Sequence, residues 1–159
     1  MSRWHQTIAL VAVAGTCVGC DQATKVYFEQ RFARMGPESY LFDTVRLHFA
    51  KNTGAFLSLG ETLPAWTFIG LGMLLVGGII AYLYLPTNRS WFSTTILALL
   101  VGGAVGNLID RSLYGFVRDF LNLGVGPVRT GIFNVADVAI TGGVLALLLA
   151  GLRHPKQPS

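Results

Sequence analysis

Charge is absent from two long stretches of this chain, 63–85 and 90–109, and a third, 131–152, carries Asp137 alone. Each has about the 20 residues a helix needs to cross the hydrocarbon of a bilayer. A shorter apolar run lies between Arg3 and Asp21. Beyond it Asp21, Thr24, Lys25 and Phe28 keep the i, i+3, i+4, i+7 spacing of one helix face, so the first helix is expected to continue through this polar stretch. Asp21 and Lys25 then stand one turn apart and pair near the helix end, at the membrane interface. The pattern predicts a mainly α membrane protein with four transmembrane helices, about 6–27, 63–85, 90–111 and 132–153, in a single integral-membrane domain covering 1–159. The Val18-Gly19-Cys20 ending of the first run also resembles a cleavable leader of the lipoprotein type. Cys17 stands where such sites prefer Leu, and the helical phase running past Cys20 favours an uncleaved span.

Two polar segments, about 28–62 and 112–131, join the spans. In the first, Gly36-Pro37 marks a turn, and 44–49 alternates with Val45, Leu47 and Phe49 on one side, the period of a strand. A small antiparallel sheet lying on the membrane surface is expected there. Asn52-Thr53-Gly54 by itself reads as a turn. In the second segment, Phe116, Val117 and Phe120 are placed to press Asp119 onto the membrane. A short loop at 86–90 makes spans two and three an antiparallel hairpin, with Trp66, Tyr82 and Tyr84 as interfacial aromatics. Gly102-x-x-x-Gly106 in span three, and Gly142, Ala146 and Ala150 in span four, are small residues that let helices approach closely. Such spacing matters because apolar area alone drives nothing together in lipid.

Composition agrees: 52% of residues are hydrophobic and only 13% charged, and the mean hydropathy is +0.54, which excludes an ordinary soluble protein. The net charge of +4 comes from scattered basic residues with no stripe of interleaved aromatics, so no nucleic-acid partner is expected. Basic residues that flank spans act as anchors for membrane lipids. Cys17 and Cys20 form a CxxC in an apolar helix without a neighbouring strand and read as small packing residues. His5, His48 and His154 are too scattered for a zinc site, so neither metal nor cofactor is expected. Orientation stays open. Arg3, Arg89, Arg153 and Lys156 share the side of the termini; Lys25, Arg31, Arg34, Arg46, Lys51, Arg111, Arg118 and Arg129 share the other with all eight acids.

A carboxylate at mid-membrane costs about 2.5–3.5 kcal/mol on insertion scales, which makes Asp137 a functional-site hypothesis. Asn107, Asp110 and Arg111 lie on one helix face at the end of span three; Asn134, Asp137 and Thr141 lie on one face at the start of span four. If those faces meet, Asp119 or Asp110 supplies a second acid. Two carboxylates sharing one proton can activate water against an amide, the device of an intramembrane aspartyl protease. Structural readings compete: an Asp110–Arg111 salt bridge or cap, a solvated Asp119, and an Asp137 neutralised by Arg111. Two other function classes remain, a small transporter or channel using Asp137 as an ion carrier, and a subunit assembled through an Asp137–Arg111 pair.

The ordered set Asp21-Gln22-x-Thr24-Lys25, Asn52-Thr53-Gly54-Ala55, Gly106-Asn107-Leu108-x-Asp110-Arg111, Val117-x-Asp119-Phe120 and Phe133-Asn134-x-Ala136-Asp137 resembles the lipoprotein signal peptidase family, the bacterial type II signal peptidases. That resemblance implies four transmembrane helices with a periplasmic β-cradle and a short periplasmic helix near the active site, in a bacterial inner-membrane protein with both termini cytoplasmic. It implies Asp119 and Asp137 as the catalytic pair, and Asn52, Gly54, Asn107, Arg111 and Asn134 around the substrate or supporting the pair. Asp21, Lys25 and Asp110 would be structural or lipid-contacting. The implied substrate is a diacylglyceryl-modified prolipoprotein cut before its lipidated Cys by a monomeric enzyme sensitive to globomycin-type inhibitors. Two departures from the family pattern are Gly54-Ala55-Phe56-Leu57-Ser58, where Gly-Ala-Ala-Phe-Ser is common, and Arg118, where a small or apolar residue is common.

Overall fold

A computed structural model describes residues 3–54, 60, 62–85 and 90–152. Its elements in chain order are α1 (Arg3–Met35), β1 (Glu38–Tyr40), β2 (Val45–Asn52), α2 (Ala65–Tyr84), α3 (Trp91–Tyr114), β3 (Val117–Val125), β4 (Val128–Arg129) and α4 (Val135–Leu152). Three helices are long and apolar enough to cross a membrane: α1 from Trp4, α2 and α3; α4 carries a shorter apolar stretch, Val135–Ala150. No further helix is present among the described residues. Arg89, Arg153 and Lys156, used in the charge comparison, and residues 55–58 of the first departure lie outside them.

Helix α3 is the axis on which α1, α2 and α4 pack, and its glycines remove side chains where the backbones of α1 and α4 arrive. A Cβ on Gly102 would stand 2.8 Å from the Cys17 Cβ and 2.9 Å from the Ala14 carbonyl of α1. One on Gly103 would stand 2.6 Å from the Ala136 carbonyl of α4, and one on Gly106 would stand 2.6 Å from the Asp21 carboxylate. Below these glycines Ile96, Leu97 and Leu100 form the apolar core, joined by Ile79 and Leu83 of α2 and by Ile140 and Ala146 of α4. Of the small residues expected to line the seam on α4, Ala146 does so and Gly142 does not. Gly142 is exposed with open space around it, whereas Gly143 meets Leu100, so the seam follows Ala136, Ile140 and Gly143 at i, i+4, i+7. Ser90 caps the start of α3 by accepting from the Ser93 N–H at 3.1 Å, and Gly115, at φ 79°, ends it in a left-handed turn.

Helix α1 runs past the expected end near 27 to Met35. Phe28 explains the extension: its ring stacks on Phe120 of β3 at 4.5 Å and on Phe32 at 5.6 Å, so the polar end of the helix has a surface to lean on. Arg31 adds a two-pronged pair with Glu38 at 2.9 and 2.8 Å before Gly36, at φ 73°, stops the helix. The sheet is antiparallel in the order β1-β2-β3-β4, with an irregularity in the β2–β3 register between Leu47 and Ala50. The second polar segment, expected as a connection, supplies the inner strand β3, whose first four residues, Val117 to Phe120, are all buried. Its charged pair Arg118-Asp119 masks the strand in the sequence, because both charges find partners inside the protein rather than in solvent.

These packing distances predict opposite outcomes at two glycines. Gly103→Leu should lower the melting temperature of the detergent-solubilised protein strongly or abolish folding, since the Ala136 backbone cannot yield. Gly142→Ala should be neutral or raise stability by about 1 kcal/mol, read by a thermal-shift assay, because the helix gains propensity without a clash.

Candidate active site

The start of α4 organises the polar cluster. Asn134 precedes the helix and its Oδ1 accepts the Asp137 backbone N–H at 3.0 Å, while Asp137 Oδ2 accepts the Asn134 N–H at 3.2 Å. This reciprocal cap satisfies two backbone donors and pins the Asp137 side chain back over the first turn. Asp21 of α1 accepts a third donor, the Ala136 N–H, at 2.9 Å. Carboxylates gathered at a helix N-terminus also lie in the favourable half of its dipole.

Asp119 reaches the same cap from the sheet. Phe133 exchanges backbone hydrogen bonds with Leu121, both at 2.9 Å, which carries the segment before α4 alongside β3 and delivers Asn134 to Asp119. Asn134 Nδ2 donates to Asp119 Oδ1 at 2.6 Å, and Asn52 Nδ2 from β2 donates to Asp119 Oδ2 at 2.9 Å. On the other side Asn107 Nδ2 donates to Asp137 Oδ1 at 2.8 Å, while its Oδ1 accepts from Lys25 Nζ at 3.0 Å and Asn134 Nδ2 at 3.2 Å. A single residue, Asn134, therefore touches both acids. Burial, then the charge of Asp137, pushes the Asp119 carboxyl up to about 7, against the opposing pull of the amides of Asn52 and Asn134 and the charge of Lys25.

Arg111 departs from both pairings considered for it. Its Nη2 donates to the Gly54 carbonyl at 2.7 Å and its guanidinium lies 5.3 Å from the centre of the Phe68 ring; its Nε has no hydrogen-bond partner among the described residues. Gly54 in turn donates its N–H to Asn52 Oδ1 at 3.0 Å, so it holds Asn52 and Arg111 together. Asp110, one residue earlier, points about 100° around the helix from Arg111. It pairs instead with Lys25 at 3.3 Å and Arg118 at 2.8 Å. The Asp21–Lys25 pair, expected at an interface, is buried deep between helices at 2.7 Å. Asp21, Lys25 and Asp110 thus meet protein groups rather than lipid. Thr141 is exposed on α4.

Sequence reasoning did not assign roles to Gln22 and Arg118. Gln22 Nε2 donates to Asp110 Oδ1 at 3.1 Å and to the Gly106 carbonyl at 3.0 Å, and its Oε1 accepts from Arg118 Nη2 at 2.9 Å. Helical phase does carry a signal for Gln22, next to Asp21 and near Lys25; nothing in the sequence joins it to Arg118, 96 positions on. Among the described residues no three His, Cys, Asp or Glu side chains converge as a metal site. Two acids held at one amide-lined point, with a guanidinium nearby, are equipped for proton transfer to and from a polar bond.

Comparison with known proteins gives a family from sequence and a matching fold from solved structures. Residues 13–153 match the family model described as signal peptidase (SPase) II. The lipoprotein signal peptidase of Cronobacter sakazakii is 32% identical over 158 residues, covering 98% of this chain and 92% of that protein. That of Cupriavidus taiwanensis is 34% identical over 149 residues, covering 92% and 84%. A bacterial membrane enzyme solved by the in meso method at 2.3 Å superimposes with a TM-score of 0.82 over 94% of this chain and 93% of its own at 23% identity. A second, at 1.9 Å, gives 0.75 over 92% and 94% at 25% identity.

The Asp119 carboxyl predicts a pH signature in stability. Its ordinary value is 3.8 and its folded value about 7, so the folded protein keeps a proton that the unfolded chain releases. Stability from this group is full below about 4 and is lost as pH rises through about 7. The melting temperature of the wild type should fall relative to Asp119→Asn across that window and run parallel to it above. A gap independent of pH would contradict the assignment.

Proposed function

Because this chain belongs to the signal peptidase II family, a family of membrane peptidases, we propose that Asp119 and Asp137 form the catalytic pair of an aspartyl endopeptidase. Its substrate is a diacylglyceryl-modified prolipoprotein, cut just before the lipidated Cys to release the signal peptide. The observation that carries this reading is Asn134, which binds Asp119 through its side chain and Asp137 through its backbone. The two acids titrate as a unit. With Asp119 at about 7, the pair retains a proton near neutrality. The ionised carboxylate takes a proton from water, the water attacks the scissile carbonyl, and the protonated carboxyl donates to the oxyanion or the leaving amine. Asn52, Asn107 and Asn134 orient the two acids. Arg111, held by Gly54 and with its buried Nε unpartnered among the described residues, supplies a donor for the substrate backbone.

The other classes are less well supported. Asp137 accepts from Asn107 and Asn134 and makes no ion pair with Arg111, which removes the contact the assembly reading requires. α2 and α3 are continuous, whereas transporters of the kind considered place their ion sites in broken helices. The same reading makes the protein a monomeric multi-pass component of the bacterial inner membrane. Its termini are cytoplasmic, its site faces the periplasm among membrane lipids, and globomycin-type inhibitors block it.

Asp119→Asn and Asp137→Asn should each lower cleavage of a purified lipidated prolipoprotein by about 10³-fold or more while membrane insertion is preserved. Retention of wild-type cleavage by either variant would end the aspartyl reading. The wild-type kcat should decline as pH rises through about 7, as the shared proton is lost. Asn52→Ala removes a bond that favours the ionised form of Asp119, so its declining limb should move to higher pH in a stopped-time cleavage assay.

A further inference from the structure

A charged residue stands where an uncharged one would cost less: Arg118 is 2% exposed, next to Asp119 on the inner strand. A buried guanidinium is tolerated only when its donors are met. Nε and Nη2 of Arg118 grip the two Asp110 oxygens at 3.2 and 2.8 Å, and its backbone N–H adds a third bond to Asp110 at 2.9 Å. Nη2 also reaches Gln22 at 2.9 Å, and Nη1 reaches Glu29 at 3.1 Å. The guanidinium lies 4.5 Å from the centre of the Tyr114 ring. Burial by itself would lower the Arg118 guanidinium, but these bonds more than offset it and hold the group above its ordinary range.

We propose that Arg118 is a positioning residue for the catalytic pair, acting on both acids by two routes. Neighbouring side chains on a strand project to opposite faces, so the Arg118 fork clamps β3 to α1 and α3 from one face while Asp119 is presented from the other. The second route runs through Asp110. Its Oδ2 accepts from Arg118 and contacts Lys25 at 3.3 Å; Lys25 donates to Asn107, and Asn107 donates to Asp137. Arg118 shares Asp110 with Lys25 and so leaves the ammonium free to hold Asn107. Without it, Lys25 is drawn toward an Asp110 that has lost its other cation, and the amide behind Asp137 loses its support. This inference rests on the proposed catalytic pair.

Three variants test it, assayed with the purified full chain on a lipidated prolipoprotein. Arg118→Lys keeps the charge and drops the fork. Arg118→Met drops both. Arg118→Met with Asp110→Asn drops the fork and restores neutrality around Lys25, which recovers stability if Arg118→Met alone folds poorly. Displacements near 1 Å at a catalytic group cost up to about 100-fold in rate. The expected result is a kcat about 10- to 100-fold lower in Arg118→Lys and in the double variant, with KM within about two-fold of wild type. The alkaline limb of kcat should also shift from its wild-type position. Wild-type kcat per folded molecule in either variant, or a loss confined to melting temperature, overturns the proposal. Wild-type cleavage by a parallel Asp119→Asn control overturns the catalytic reading itself, and is distinguishable because that control leaves Arg118 intact.

Discussion

A fully buried ammonium holds this molecule together at its functional level. Lys25 touches Asp21 and Asp110 and donates to Asn107, and Asp21 in turn caps the backbone of α4. Three helices therefore share one positive charge, and none can shift without leaving a charge in a medium where solvation is poor. In lipid, where apolar contact gives little preference for one helix arrangement over another, such a network selects the packing, and the α3 glycines allow the close approach it needs.

The geometry that results separates two tasks. The Asp21–Lys25–Asp110–Arg118 cluster balances its charges internally and fixes backbone positions. The neighbouring group of Asn52, Asn107 and Asn134 carries no charge of its own and surrounds the two acids with amide donors. Placing fixed ions one layer behind neutral amides keeps the acids from being locked into ion pairs, which would hold a carboxylate well below the range useful for proton exchange. Asn107 is the joint between the layers, since its carbonyl faces Lys25 and its amide faces Asp137.

What the sequence disclosed follows the range of each interaction. Apolar runs and the Gly102 and Gly106 spacing are local, so the helices and the small-residue seam of α3 are readable; on α4 Ala146 is readable too, but Gly142 stands in for its neighbour Gly143 because the two small residues lie side by side. Asn134 and Asp137, three apart at a helix start, are also a local pattern. The strand at Val117–Val125 is hidden in the sequence because an Arg and an Asp imply solvent unless distant partners are known; those of Arg118 lie on α1 and α3, and those of Asp119 are Asn52 of β2 and Asn134 just before α4. The same reason explains why Asp110, beside Arg111 in the sequence, pairs in space with Lys25 and Arg118. The end of α1 depended on a stack between Phe28 and Phe120, 92 positions apart by their numbering, which no window of sequence contains.

The unbroken length of α1 carries a mechanical corollary. At 33 residues it measures about 50 Å, against a hydrocarbon thickness of about 30 Å. Its upper part is a stiff lever whose Phe28 and Glu29 grip the sheet strand that holds Asp119. A thinner or thicker bilayer changes the preferred tilt of such a rod. Through those contacts the strand that presents Asp119 is coupled to the tilt of the helix.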